Sequence, residues 1–135
     1  MKTITLDAKV DNLNDVLAFV DGILEEADCP MKTQTQIDVA VEEIFVNVAS
    51  YAYKGSSGTV TIEMDILQDP ARASITFIDQ GIPYNPLAKE DPDVTLSAEE
   101  RQIGGLGIYI VKKSMDNLTY DRTEDKNAFT LEKNL

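Results

Sequence analysis

Two stretches of alternating apolar and polar residues, 59–66 and 73–78, are separated only by a short turn around Gln68-Asp69-Pro70. Alternation of this kind is typical of strands that have one buried face and one solvated face. A connection this short joins antiparallel neighbours, because parallel strands need a crossover of a dozen or more residues. The pair therefore predicts a hairpin, and with it a largely antiparallel sheet.

The remaining segments divide into helices and further strands. Apolar residues recur at helical spacing over about 13–26 and 35–53, with Pro30 as a break between them, and again from Gly107 to Met115. Shorter alternating runs predict strands at residues 2–7, 118–120 and 129–131. This order predicts an α+β fold, a two-layer sandwich in which a mixed, mostly antiparallel sheet carries the helices on one face.

Charge and missing residue types narrow the chemistry. Twelve Lys and Arg against 24 Asp and Glu give a net charge of -12, which argues against binding to nucleic acid or anionic membranes. Histidine is absent, which excludes histidine-based nucleophile systems, imidazole zinc sites and a phosphoacceptor histidine. The lone Cys29 cannot form an internal disulfide. Without a leader-like or membrane-spanning apolar run, we expect one cytoplasmic domain over residues 1–135.

Glu43 and Asn47 form the first group of candidate site residues. A spacing of four puts them within about 40° of each other on a helix, whereas Glu42 points elsewhere. A carboxamide oxygen can bind Mg²⁺, and a neighbouring carboxylate can accept a proton or orient a water molecule. The alternative is a solvated edge of the helix, and the spacing alone does not exclude it.

Asp79, followed by Gly81, forms the second group. An acidic residue at the end of a buried strand places a carboxylate in the floor of a pocket while the backbone turns away. A carboxylate only accepts hydrogen bonds, so it suits an exocyclic amine such as that of adenine. The alternative is a common strand-end turn opened by an aspartate.

The third group is the run Gly104-Gly105-Leu106-Gly107, which leads directly into a helix. Glycines allow close approach of phosphates to the backbone, and the helix N-terminus offers free N–H groups. Arg101 can add a guanidinium. The run is neither a Walker A loop nor a Rossmann fingerprint, and the alternative is a plain flexible linker.

In this order, the three groups resemble the GHKL (Bergerat-fold) ATPase superfamily. Glu43-x-x-x-Asn47 resembles its N box, Asp79-x-Gly81 its first glycine box and residues 104–107 its second. Residues 41–53, 79–86 and 104–109 are most similar to the anti-sigma factor serine/threonine kinases of bacterial partner-switching systems. There are three departures: Tyr51 replaces the usual histidine, Pro83 replaces the second glycine of the broader first-box pattern, and the last hairpin lacks the glycine often found near 125–127.

The resemblance implies a role for each matching residue. Glu43 would be the general base for an acceptor serine, and Asn47 the Mg²⁺ ligand. Asp79 would bind the adenine amino group, with Gly81 letting the base approach. The resemblance also implies an ATP lid over residues 87–103, and a nucleotide-binding surface formed further by Pro83, Arg101, Gly104, Gly105, Leu106 and Gly107.

The resemblance further implies an enzyme that binds ATP or ADP with Mg²⁺ and phosphorylates a serine of a STAS-type anti-anti-sigma partner. Its other partner would be a sigma factor, and it would form a homodimer. One alternative is a non-catalytic, nucleotide-gated module that only sequesters a sigma factor or another regulator. A second is the ATPase domain of a larger histidine kinase, detached from its acceptor helix.

Overall fold

A computed structural model describes residues 1–54, 56–88 and 105–135. Eight helices and strands follow one another within these ranges: β1 Lys2–Asp7, α1 Leu13–Glu26, α2 Met31–Asn47, β2 Thr59–Leu67, β3 Arg72–Asp79, α3 Gly105–Ser114, β4 Asn117–Thr123 and β5 Lys126–Asn134. None of the helices described is long and apolar enough to cross a bilayer. The predicted α+β sandwich is confirmed.

The five strands form one sheet in the order β1-β2-β3-β5-β4, and every neighbouring pair is antiparallel. The sheet described is therefore not mixed in direction, contrary to our expectation. The reason is the path after β3: α3 carries the chain to the far edge, where β4 forms, and β5 returns between β4 and β3. This places the start of β5 directly beside the end of β3, so that Asp79 is opposite Asn127.

The helices cover one face of the sheet. Alternate residues of β2, β3 and β5 are buried against them, whereas the opposite face of the sheet is partly exposed. Helix α2 lies at the centre of the helical layer, packed against α1 on one side and α3 on the other. The largest fully buried side chains include Phe45 of α2 and Phe77 of β3.

The predicted start of α2 was wrong by four residues. The helix begins at Met31, and Pro30 occupies its N-cap position. Proline is well tolerated at a helix start because it has no N–H to satisfy there, so Pro30 opens α2 as well as ending the preceding segment. The regular helix ends at Asn47 and continues as a π-helical turn over Val48–Ala52, a feature often found at functional sites.

Helix α3 also begins earlier than expected. Its first residue is Gly105, so Gly105 and Gly107 belong to the first helical turn instead of preceding it. The predicted lid lies largely outside the described residues, as do Arg101 and Gly104.

Candidate active site

A narrow pocket opens between the C-terminal end of α2 and the adjoining ends of β3 and β5. Six of its lining side chains are apolar, and the polar ones are Asn47, Asp79, Tyr84, Tyr120 and Asn127. The free space inside has room for about one water molecule. Tyr84 and Pro86 come from the loop after β3, whereas the other lining residues lie in α2, its π-helical continuation and the strands.

Asp79 is the last residue of β3 and only 5% exposed. It shares the buried face of the strand with Ile75 and Phe77, because every second side chain points the same way. Its Oδ1 accepts hydrogen bonds from the Gly81 backbone N–H and from Nδ2 of Asn127, both at 2.9 Å. The strand register thus carries a charged group into the core, and two donors fix its orientation.

The turn that follows Asp79 is anchored on both sides. The Tyr53 hydroxyl accepts a hydrogen bond from the Gln80 backbone N–H at 2.9 Å and donates one to the Thr59 carbonyl at 2.6 Å. From β4, Nη1 of Arg122 donates to the Gly81 carbonyl at 2.7 Å. These bonds join the start of β2 and the end of β4 to the same turn, which limits its freedom to move.

Gly81 is required by the packing of this turn. A Cβ at this position would lie 2.1 Å from the carbonyl oxygen of Ala52. That oxygen also accepts a hydrogen bond from the Ile82 N–H at 2.8 Å. The π-helical turn and the loop therefore touch backbone to backbone, and only glycine fits. Its predicted role in the approach of a base stays a prediction.

Asn47 lines the pocket from the end of α2 and is 8% exposed. Its Nδ2 donates to the backbone carbonyl of Glu43, one helical turn earlier, at 2.6 Å. Because a carbonyl can only accept, this bond sets the orientation of the amide and directs Oδ1 away from the helix. Oδ1 accepts a long hydrogen bond of 3.4 Å from the Tyr84 hydroxyl.

Glu43 is half-buried, whereas Glu42 is exposed, as the helical spacing predicts. The Glu43 carboxylate lies against the first turn of α3, so close that a Cβ on Gly107 would be 2.0 Å from its Oε2. Burial, and secondly the charge of Glu42, raise the pKa of Glu43. The structure thus places a carboxylate with enhanced proton affinity at the N-terminal end of a helix.

Residues 6–133 match the histidine kinase-like ATPase domain family. The chain belongs to this family. The serine-protein kinase RsbW of Listeria monocytogenes is 28% identical over 126 residues, which cover 88% of this chain and 79% of that protein. The serine/threonine-protein kinase BtrW of Bordetella bronchiseptica is 22% identical over 129 residues, covering 96% of this chain and 90% of that protein.

A solved structure shares the fold of this ATPase-family chain. It is the histidine kinase domain of a blue-light activated histidine kinase from Erythrobacter litoralis, with a TM-score of 0.60 and 17% sequence identity. The match covers 93% of this chain, which spans only 60% of the length of that structure.

Other family-motif residues lie outside the narrow pocket or cannot be placed. Pro83 is exposed and lines a separate, open cleft beside Arg122. Gly105 is the first residue of α3, and the structure does not describe the side chain of Leu106. Tyr51, at the position where the family pattern usually has histidine, is partly exposed. Its ring lies 5.6 Å from that of Tyr84, which extends the aromatic wall of the pocket.

Several contributors to the site were not among our sequence predictions, including Tyr120 and Arg122 of β4. Asn127 gave no local signal, because its role depends on pairing with a strand 48 residues away. Tyr84 is an aromatic residue between two prolines in a polar loop, and this pattern could have indicated that its ring packs against the site. Tyr53 is the last residue of the helix predicted over 35–53, yet only the fold shows that its hydroxyl joins two strand ends.

Proposed function

We propose that this protein is an anti-sigma factor kinase that uses ATP and Mg²⁺. It would bind a sigma factor and phosphorylate a serine of a STAS-type anti-anti-sigma partner. The observation that carries the proposal is the joint placement of Asp79 and Asn47 in one pocket, with Glu43 one turn away against α3. The kinase names of the relatives from Listeria and Bordetella support the choice among family activities.

The pocket suits the adenine end of the nucleotide. Asp79 offers an acceptor in surroundings that are otherwise mostly apolar, which is the arrangement expected for a flat base with one exocyclic amine. The base is larger than the present free space, so its entry would require side chains that line the pocket, such as Tyr84, to move. The phosphates would then extend towards the first turn of α3, where free backbone N–H groups favour anions.

The amide of Asn47 fits a role as Mg²⁺ ligand. Its nitrogen is committed to the Glu43 carbonyl, and among the described residues its oxygen accepts only a long bond, from Tyr84. An oxygen ligand of this kind is what Mg²⁺ prefers. When bound, the ion would neutralise the negative charge of the phosphates. The chain has a net charge of -12 and offers little positive charge for this purpose itself.

Glu43 would act as the base for the acceptor serine. The serine oxygen attacks the γ-phosphorus while the bond from phosphorus to the β,γ-bridging oxygen breaks. ADP leaves with that oxygen, and the Glu43 carboxylate takes the serine proton. Since burial raises the pKa of Glu43, phosphoryl transfer should increase with pH as this carboxylate ionises.

The test compares two neighbouring glutamates. Glu43→Gln should lower phosphoryl transfer from radiolabelled ATP to a co-encoded STAS-type protein by about 10²- to 10⁴-fold, with ADP affinity retained. Glu42→Gln, at the exposed neighbouring position, is the matched control: it should transfer at the wild-type rate at a pH where Glu43 is ionised, and its pH profile should move slightly to lower pH because the charge of Glu42 is lost. The rise of the wild-type rate with pH should be absent in Glu43→Gln.

Two results would speak against this function. Equal transfer by wild type and Glu43→Gln would remove Glu43 from the mechanism. Clean ATP binding by the wild type, without transfer to any co-encoded STAS-type protein, would instead favour a module that acts by sequestration alone.

A further inference from the structure

Asn127, the second residue of β5, is a buried polar side chain with only 4% exposure. The register of the sheet places it directly opposite Asp79, and both side chains line the narrow pocket. Buried polar groups are costly unless their hydrogen bonds are made. The bonds that Asn127 makes therefore decide what it contributes to the pocket.

The amide of Asn127 has one favourable orientation. Its Nδ2 donates to Oδ1 of Asp79 at 2.9 Å and to the carbonyl of Ile82 at 2.7 Å. Its Oδ1 accepts a hydrogen bond from the Tyr120 hydroxyl. Exchanging nitrogen and oxygen would turn the amide oxygen towards two acceptors, so the three partners together exclude the flipped state.

This orientation determines which oxygen of Asp79 is available. Within the described parts of the chain, the donors to Asp79 are the Gly81 N–H and Asn127, and both bind Oδ1. Oδ2 receives no hydrogen bond from these residues. Because Oδ1 is held from two sides, the carboxylate cannot rotate without losing both bonds, and Oδ2 remains the acceptor for a ligand.

We propose that Asn127 is a positioning residue that gives the pocket its selectivity for adenine over guanine nucleotides. The proposal rests on nucleotide binding at Asp79. A correctly oriented carboxylate accepts a hydrogen bond from the exocyclic amine of adenine and repels the carbonyl oxygen that guanine carries at the same ring position. Without Asn127, the carboxylate can rotate or exchange partners, and this discrimination weakens.

The experiment measures the dissociation constants of ADP and GDP by calorimetry and compares their ratio among variants. Asn127→Ala should reduce the preference for ADP by about tenfold or more, the effect expected for a lost hydrogen bond to a charged group. Tyr120→Phe removes only the bond that orients the amide, so a smaller reduction, about two- to fivefold, is expected. The control is Asn117→Ala, an exposed asparagine of β4, which should keep the wild-type ratio.

The ratio of the two dissociation constants is informative because, if Asn127 had only a structural role, its substitution would lower the affinities for ADP and GDP by the same factor. If Asn127→Ala or Tyr120→Phe lowers both affinities equally, the proposal is wrong. Should Asn127→Ala fail to fold, the ratio for the milder Tyr120→Phe decides. A wild-type protein that binds neither nucleotide, or both equally, would also overturn it. Selective binding without phosphoryl transfer would refute the kinase function and leave the role of Asn127 intact.

Discussion

Helix α2 borders two groups of carboxylates that differ in their hydrogen bonding. Beside its C-terminal end, Asp79 receives two donors on Oδ1. Near its middle, Asp38 faces Asp21 of α1, and Oδ1 of each is buried without a hydrogen-bond donor in the described parts of the chain. Asp79 is thus oriented by two neutral donors, whereas Asp21 and Asp38 are two like-charged groups placed close together.

The two groups show how the surroundings decide what a buried carboxyl can do. Burial raises the pKa of Asp38 to about 7, with further contributions from the neighbouring Asp21 side chain and from the charges of Asp21 and Glu25. A protonated Asp38 can donate a hydrogen bond to the Asp21 side chain. Burial and the charge of Asp38 also raise the pKa of Cys29. Asp38 therefore keeps its proton to near-neutral pH, whereas both donors at Asp79 bind Oδ1 and leave Oδ2 without a hydrogen bond from the described residues.

The largest expected effect comes from neutralising the carboxylate that has donors. Asp79→Asn replaces an acceptor by an amide that can present N–H groups to the pocket, so ADP affinity should fall by about 10- to 100-fold in calorimetry. Asp121→Asn, on the exposed face of β4, is the matched control and should bind normally. If Asp79→Asn keeps the wild-type affinity for ADP, Asp79 has no role in nucleotide binding. The two groups of carboxylates would then not differ in function.

A substitution at Gly81 tests whether the turn after Asp79 requires its tight backbone contact with Ala52. Gly81→Ala would place a Cβ 2.1 Å from the Ala52 carbonyl oxygen, and urea unfolding should show a loss of about 1–3 kcal/mol. Gly22→Ala is the control, because Gly22 lies in α1 and a methyl group there would have nothing within 4 Å in the described parts of the chain. That change should be neutral or stabilise by up to about 1 kcal/mol. Equal stability of both variants would mean that the turn adapts easily.

Local patterns predicted much of the fold, and the long-range contacts explain what they missed. The hairpin of β2 and β3 was predictable because alternation and a short turn are local features. The pairing of Asp79 with Asn127 depends on β5 entering the sheet beside β3, which no spacing in the sequence encodes. The same limit applies to Asp21 and Asp38, whose proximity follows from the packing of α1 on α2.

The carboxyl pair predicts a specific dependence of stability on pH. Between the ordinary pKa of 3.8 and about 7, the folded protein keeps the Asp38 proton that the unfolded chain has released. The free energy of unfolding should therefore decrease as pH rises through this range. Asp38→Asn should flatten the decrease and raise the melting temperature at pH 8. Asp15→Asn, at an exposed position of α1, is the control and should retain the wild-type dependence of the unfolding free energy on pH. If Asp38→Asn also retains it, Asp38 is not the group that keeps the proton in the folded protein.

The smallest expected effect concerns Tyr84, which lines the pocket from the loop after β3. The Tyr84 hydroxyl donates to Oδ1 of Asn47 at 3.4 Å, so it occupies the oxygen that would bind Mg²⁺. Tyr84→Phe removes this competitor and keeps the ring, and because a bond of that length is weak, ADP should bind only about two- to threefold more tightly with Mg²⁺. With EDTA, where Asn47 has no ion to bind, the variant and the wild type should be equal. If Tyr84→Phe binds ADP more weakly both with Mg²⁺ and with EDTA, the hydroxyl contacts the nucleotide itself. The hydrogen bonds around Asn47, like those around Asp79, would then already hold the pocket in the form that binds ADP.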